Sequence, residues 1–132
     1  MAARRGEREE MQDAHVILEN YRAIFDSRLQ QLSPSISYYA IFDGHAGTRA
    51  AEHAATRLHQ IIANKFPVNS IEGVSKEIKK CLIDSFLACD KEFLVKASEA
   101  QPVWKDGSTA VVVLLINDVV ELFTFLCFLY CH

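Results

Sequence analysis

The sequence lacks the features of a nucleic-acid-binding or secreted protein. Beyond Arg4-Arg5 it has no basic cluster, and 14 Lys and Arg against 17 Asp and Glu give a net charge of -3. We therefore expect no nucleic-acid partner. Residues 1–13 are polar and charged, with no apolar stretch that could act as a signal peptide. Four cysteines without such a signal indicate reduced thiols in the cytoplasm or nucleus.

The distribution of apolar residues also lacks a membrane-spanning segment. Residues 111–130 are mostly apolar, but Asn117, Asp118 and Glu121 interrupt them. A helix needs about 18 uninterrupted apolar residues to span a bilayer, and a carboxylate in hydrocarbon is costly. We expect no membrane span. Attachment of the apolar tail to a membrane is a weak alternative. Half of the residues are hydrophobic, so the chain is globular and long enough for one domain.

The central feature of the chain is the stretch YYAIFDGHAG at 38–47. Its aromatic and β-branched residues predict a buried strand, which we expect Gly44 and Gly47 to end. The strand would present Asp43 and His45 at the edge of a core. Taken alone, Asp43 is either a metal ligand or an anchor for the turn, because Asp-Gly is also ordinary turn chemistry.

The other periodicities predict two amphipathic helices and a mainly antiparallel sheet. Apolar residues recur at helical spacing between Thr48 and Phe66, and again from about Ser70 to Pro102 at the latest. Strands are predicted at 14–18, 36–43, 109–116 and 119–130. Strands joined by short turns, with the helices segregated from them, indicate an α+β fold.

Two carboxylates border the first two predicted strands. Asp13 precedes one and Asp43 ends the other. Strands adjacent in sequence are usually neighbours in space, so the two carboxylates converge if these strands pair. Carboxylates with water in the remaining positions suit Mg²⁺ and Mn²⁺.

Three blocks resemble a known family. They are REEMQDAH at 8–15, YAIFDGHAG at 39–47 and KDGSTA at 105–110. Each is weak alone, but together and in this order they resemble the opening blocks of the metal-dependent protein phosphatase 2C family. The first and third blocks look most similar to its kinase-associated branch.

The resemblance implies the N-terminal part of an α-β-β-α sandwich that holds two Mg²⁺ or Mn²⁺ ions. Asp13, Asp43 and the Gly44 carbonyl would be metal ligands, Arg8 would bind the substrate phosphate, and His45 would be the general acid. The implied activity is hydrolysis of phosphoserine and phosphothreonine by a two-metal, bridging-hydroxide mechanism. The implied partners are phosphoprotein substrates and proteins of kinase signalling.

Two departures from the family pattern follow. Gln12 stands where many members carry Glu, so an amide oxygen replaces a charged ligand. The later family blocks, with their metal-binding aspartates, are missing after residue 120. We therefore expect a polar arm at 1–7, a partial phosphatase domain at 8–120 and an apolar tail outside the family at 121–132.

Three functional alternatives remain from the sequence. The first is a truncated phosphatase of low activity by itself. The second is a non-catalytic fragment or isoform that binds the partners of a longer phosphatase. The third is the membrane-attached protein.

Overall fold

The computed structural model describes residues 13–24, 35–67, 75–116 and 119–128. Strand β1 (Ala14–Leu18) is followed by a 3₁₀ helix (Tyr21–Ile24) and strand β2 (Ile36–His45). Helices α1 (Arg49–Lys65) and α2 (Ser75–Glu99) come next, and strands β3 (Gly107–Ile116) and β4 (Val119–Phe128) complete the described chain. The predicted α+β class is confirmed.

The strands form one antiparallel sheet in the order β1-β2-β3-β4. The predicted pairing of the first two strands is therefore present, with Ala14 opposite Phe42 and Leu18 opposite Tyr38. β3 lies inside the sheet between β2 and β4, and its apolar run from 110 to 116 is typical of a strand buried on both faces. Asn117 and Asp118, whose residue types predict a hairpin turn, lie outside the described residues.

Both helices lie on one face of the sheet and bury the apolar stripes that their sequences predict. α1 buries Ala51, Ala54, Leu58 and Ile62. On α2 the buried residues step by three or four positions, as a single helical face requires: Ile78, Leu82, Phe86, Cys89 and Phe93. A start of α2 near Ser70 falls outside the described residues.

Two predicted strand ends differ from the structure. β2 continues through Gly44 to His45 instead of ending at Asp43, and β3 begins at Gly107 instead of Thr109. The cause is mutual pairing, since the Asp43–His45 end of β2 lies opposite Thr109, Ser108 and Gly107. The turn after β2 lies at Ala46 and Gly47, which have φ angles of 59° and 137°.

The other face of the sheet is uncovered by the described elements. Side chains alternate between the two faces of a strand, and the residues on this side include the exposed Ile17, Ile41 and Val111. We call this side the open face. Asp43 and His45 lie on the open face, because they have the same strand parity as Ile41. Among the described residues, no helix is long and apolar enough to span a membrane.

Candidate active site

Asp13 and Asp43 come together at one end of the open face. The β1–β2 register runs from Leu18–Tyr38 to Ala14–Phe42, and Asp13 and Asp43 are the residues next to that last pair. Directly opposed residues of antiparallel strands have Cα atoms about 4.5–5.5 Å apart. Both residues are exposed. Both side chains are therefore exposed at the same end of the open face, and the convergence of their carboxylates on a shared ion stays a prediction.

Gly44 and His45 extend this end of β2. Gly44 is buried and lies opposite Ser108, and His45 is half-buried opposite Gly107. The His45 imidazole lies directly over Gly107, where a methyl group would overlap its Nε2 atom. A methyl group at 107 would therefore displace the ring from this position. The strand thus brings Asp43 and His45 to the same face, two residues apart.

A buried carboxylate closes the turn behind His45. Asp106 has 0% exposure and accepts hydrogen bonds from the Arg49 backbone N–H at 2.9 Å and from its Nε at 3.0 Å. The Arg49 Nη2 donates to the second carboxylate oxygen at 2.6 Å. Gly47 packs against this carboxylate so closely that a Cβ would overlap it. Asp106 therefore holds the start of α1 against the start of β3.

The sequence alone does not predict this pair, because Lys105-Asp106-Gly107-Ser108 is typical of a turn and Arg49 falls on the polar side of the predicted helix. One signal was available. Arg49 is the first residue of α1, and a cation there opposes the helix dipole unless an anion accompanies it.

His53 and His59 are six residues apart on the predicted helix, so they do not share a face, and the sequence predicts a surface or boundary position for both. For His53 this is wrong. It is 9% exposed and packs on Phe93, with ring centroids 5.6 Å apart. Burial and then the charge of Lys96 lower its pKa. The ring lines a cavity of about 290 Å³ between the two helices and Trp104. His59 does lie at the boundary, and burial lowers its pKa too.

The donor set at the Asp13–Asp43 end fits a hard divalent cation. Two exposed carboxylates on neighbouring strands, next to a backbone carbonyl, supply the oxygen ligands that Mg²⁺ and Mn²⁺ prefer. Within the described ranges, no group of three or more His, Cys, Asp or Glu side chains could hold a metal ion. Arg8 and Gln12 lie outside the described residues.

Known proteins match this chain over nearly all of its length. The sequence model of the family described as Protein phosphatase 2C matches residues 1–129. The mouse integrin-linked kinase-associated serine/threonine phosphatase 2C is 49% identical over 119 residues, which cover 90% of this chain and 30% of the mouse protein. Protein phosphatase 2C homolog 1 of Saccharomyces cerevisiae is 35% identical over 108 residues, 82% of this chain and 32% of the yeast protein. The chain thus spans about a third of the length of these relatives.

Solved structures agree with the fold. A bacterial serine phosphatase superimposes with a TM-score of 0.62 at 16% identity, over 90% of this chain and 48% of the bacterial one. A sex-determining protein of C. elegans superimposes with a TM-score of 0.61 at 24% identity, over 83% of this chain and 24% of that one. The paired strands, the two helices on one face and the family match over residues 1–129 lead to one conclusion: this chain is a member of the protein phosphatase 2C family.

Proposed function

We propose that this chain forms the N-terminal part of the catalytic site of a Mg²⁺- or Mn²⁺-dependent protein serine/threonine phosphatase. The observation that carries the proposal is the end of β2, where Asp43 and His45 share the open face beside Asp13. Carboxylates and an imidazole side by side are suited to phosphate-ester hydrolysis, which needs a metal site and an acid for the leaving group.

In this proposal Asp13, Asp43 and the Gly44 carbonyl hold the metal. When bound, two such ions lower the pKa of a water molecule and stabilise charge on the phosphoryl oxygens. The protein's own contribution is to hold the oxygen ligands on two hydrogen-bonded strands. Their spacing is therefore set by the sheet and not by flexible loops.

Arg8 and His45 act on the substrate. The planar guanidinium of Arg8 donates two parallel hydrogen bonds to phosphate oxygens. His45 donates a proton to the departing serine or threonine oxygen, a step worth about 10²- to 10⁴-fold in rate. An alkoxide is a poor leaving group, so the acid matters most for phosphoserine and phosphothreonine.

The chain by itself is expected to be a weak catalyst. Two carboxylates and one carbonyl leave most positions of an octahedral Mg²⁺ site to water, and the described residues hold no cluster of three metal-binding side chains. The same observation favours the second candidate function, in which the chain binds partners of a longer phosphatase without turnover.

The partners we propose are phosphoproteins in the cytoplasm or nucleus. Four relatives are described as integrin-linked kinase-associated, and this supports a role of the chain near kinase signalling.

Metal binding by the 132-residue chain is the first test. Mn²⁺ is paramagnetic and broadens amide signals near its site, so titration should broaden those of residues 13–15 and 42–45 first. Asp43→Asn should abolish this effect. Asp84→Asn, which removes an exposed carboxylate on α2, is the matched control and should leave it intact. Broadening that ignores Asp43→Asn would contradict the metal site.

Activity is tested in a chimera in which this chain replaces the matching segment of the mouse relative. We expect the chimera to hydrolyse a phosphoserine peptide, and His45→Gln to lower its kcat about 100-fold or more. Aryl phosphates, whose leaving groups need no proton, should lose far less. Equal losses for both substrates would refute the acid role, and a folded but inactive chimera would favour the binding function.

A further inference from the structure

The turn after β2 and the segment before β3 meet around the carboxylate of Asp106. It is fully buried, and a buried charge needs partners to offset its lost hydration. Arg49 provides three hydrogen bonds, between 2.6 and 3.0 Å, from the backbone N–H, Nε and Nη2. We call this arrangement the Arg49–Asp106 clamp.

The clamp replaces an ordinary helix cap. Thr48 occupies the N-cap position of α1 but makes no side-chain cap hydrogen bond. The first N–H groups of a helix have no partner within the helix and attract negative charge. Asp106 satisfies the N–H of Arg49, although it lies 57 residues away in sequence. A long-range ion pair therefore determines where α1 begins.

The clamp is directly continuous with the His45 side chain. Gly107, which follows Asp106, is the cross-strand partner of His45 and is buried beneath its ring. In the turn after β2, Gly47 lies two residues after His45 and packs on the Asp106 carboxylate. The ring and the carboxylate are thus connected by short chain segments on both sides.

The clamp is also supported from outside. The Arg49 guanidinium carbon lies 4.6 Å from the centre of the Trp104 ring, a cation–π contact. The Trp104 backbone N–H donates to the Ala97 carbonyl of α2 at 3.2 Å. Arg49 is therefore held between a buried carboxylate and an aromatic ring that is itself tied to α2.

We propose that Asp106, held by Arg49, is a positioning residue for His45. It fixes Gly107, on which the imidazole rests, and the Ala46–Gly47 turn that follows His45, and so it holds the ring in place over Gly107 on the open face. The catalytic meaning of this role rests on the proposed function, in which His45 is the general acid. Asp106 acts through Gly107 and the turn.

The test follows the His45 ring in the full chain by NMR, with the histidines labelled and the His45 signal assigned through His45→Gln. Asp106→Asn weakens the acceptor, and Arg49→Met removes the guanidinium. Both should shift the His45 ring signal towards its position in the unfolded chain. Arg49→Lys keeps the charge but loses the planar guanidinium, so its shift of the His45 signal should be smaller than that of Arg49→Met. Gly107→Ala displaces the ring directly and should move the signal furthest.

Arg57→Met is the matched control. It breaks a different Arg–carboxylate pair, Arg57–Glu92 at 3.0 Å, which joins the two helices. The His45 signal should stay unchanged. Amide spectra verify that each variant is folded, and Arg49→Lys keeps the test valid if Asp106→Asn unfolds. An unchanged His45 signal in folded Asp106→Asn and Arg49→Met would overturn the proposal, as would an equal shift in Arg57→Met. The readout needs no turnover, so failure of the acid role in the chimera would be seen separately.

Discussion

At the scale of single residues, two histidines of α1 show how burial lowers the pKa of an imidazole ring. His53 packs on Phe93 inside the domain, and its Nε2 has no hydrogen-bond partner. His59 packs near Tyr38, with ring centroids 5.9 Å apart. Burial is the main cause that lowers the pKa of each ring. For His53, Lys96 and Arg57 lower the pKa further and Glu92 partly offsets them.

These two histidines predict acid sensitivity. The unfolded chain protonates its histidines at about pH 6.5, whereas the folded state resists protonation. The unfolded state then binds more protons, so their contribution to stability is complete above about pH 6.5 and is lost as the pH falls below it. We expect a lower urea midpoint at about pH 5.5 than at about pH 7.5.

Substitutions separate this effect from other titrations. The double variant His53→Gln, His59→Gln should flatten the pH dependence of the urea midpoint in this window. Arg57 lowers the pKa of Glu92, so loss of that carboxylate's contribution belongs to a more acidic range. A pH dependence that survives the double variant would contradict the assignment.

At the scale of elements, the β2–α1 connection depends on two residues with positive φ. Ala46 has φ 59° and Gly47 has φ 137°. The first value lies in the left-handed region, where a residue other than glycine pays about 1–2 kcal/mol. The second is accessible mainly to glycine, and the space beside it is filled by Asp106.

Substitutions at these two adjacent positions should therefore differ in their effect on stability. Gly47→Ala should lower the free energy of unfolding by about 1–3 kcal/mol, because it adds backbone strain and pushes Asp106 from its place. Ala46→Gly relieves strain but makes the unfolded chain more flexible, so its change should stay within about 1 kcal/mol. Urea denaturation of both variants measures this. Similar losses of stability at the two positions would contradict the φ angles as the cause.

At the scale of the whole molecule, the described elements cover one face of the sheet and leave the other open. The helices bury the first, where Tyr38, Phe42 and Leu114 are fully enclosed. On the open face Ile17, Ile41 and Val111 are 42%, 48% and 37% exposed. Neighbouring exposed apolar side chains of this kind bind other apolar surfaces.

The open face should therefore bind an apolar dye and promote self-association. Ile41→Thr and Val111→Thr keep a strand-forming residue while removing apolar surface, so dye fluorescence and apparent mass should fall. Their stability should change by no more than about 0.5 kcal/mol, as for most surface substitutions. Val103→Thr, at an exposed position outside the sheet, is the matched control. An equal fall in dye binding for Val103→Thr would locate the binding elsewhere.

Much of the architecture was determined by the sequence alone. The α1 stripe of Ala51, Ala54 and Leu58 predicts the buried face, because helical periodicity is local and independent of the rest of the chain. The pairing of β1 with β2 follows in the same way from their order, and it places Asp13 and Asp43 at the same end of the two strands. The three motif blocks likewise point to the family that the comparisons show.

Only the tertiary structure decided the rest. The extension of β2 to His45 depends on a partner strand more than 60 residues later, and strand ends are determined by pairing as much as by local propensity. Asp106 looks like a turn residue in sequence and Arg49 like a solvated helix cation, yet they form a buried clamp across 57 residues. His53 is likewise buried by another element, since it packs on Phe93 of α2. Burial is decided by which elements pack together, and the local patterns around Asp106 and His53 do not encode that.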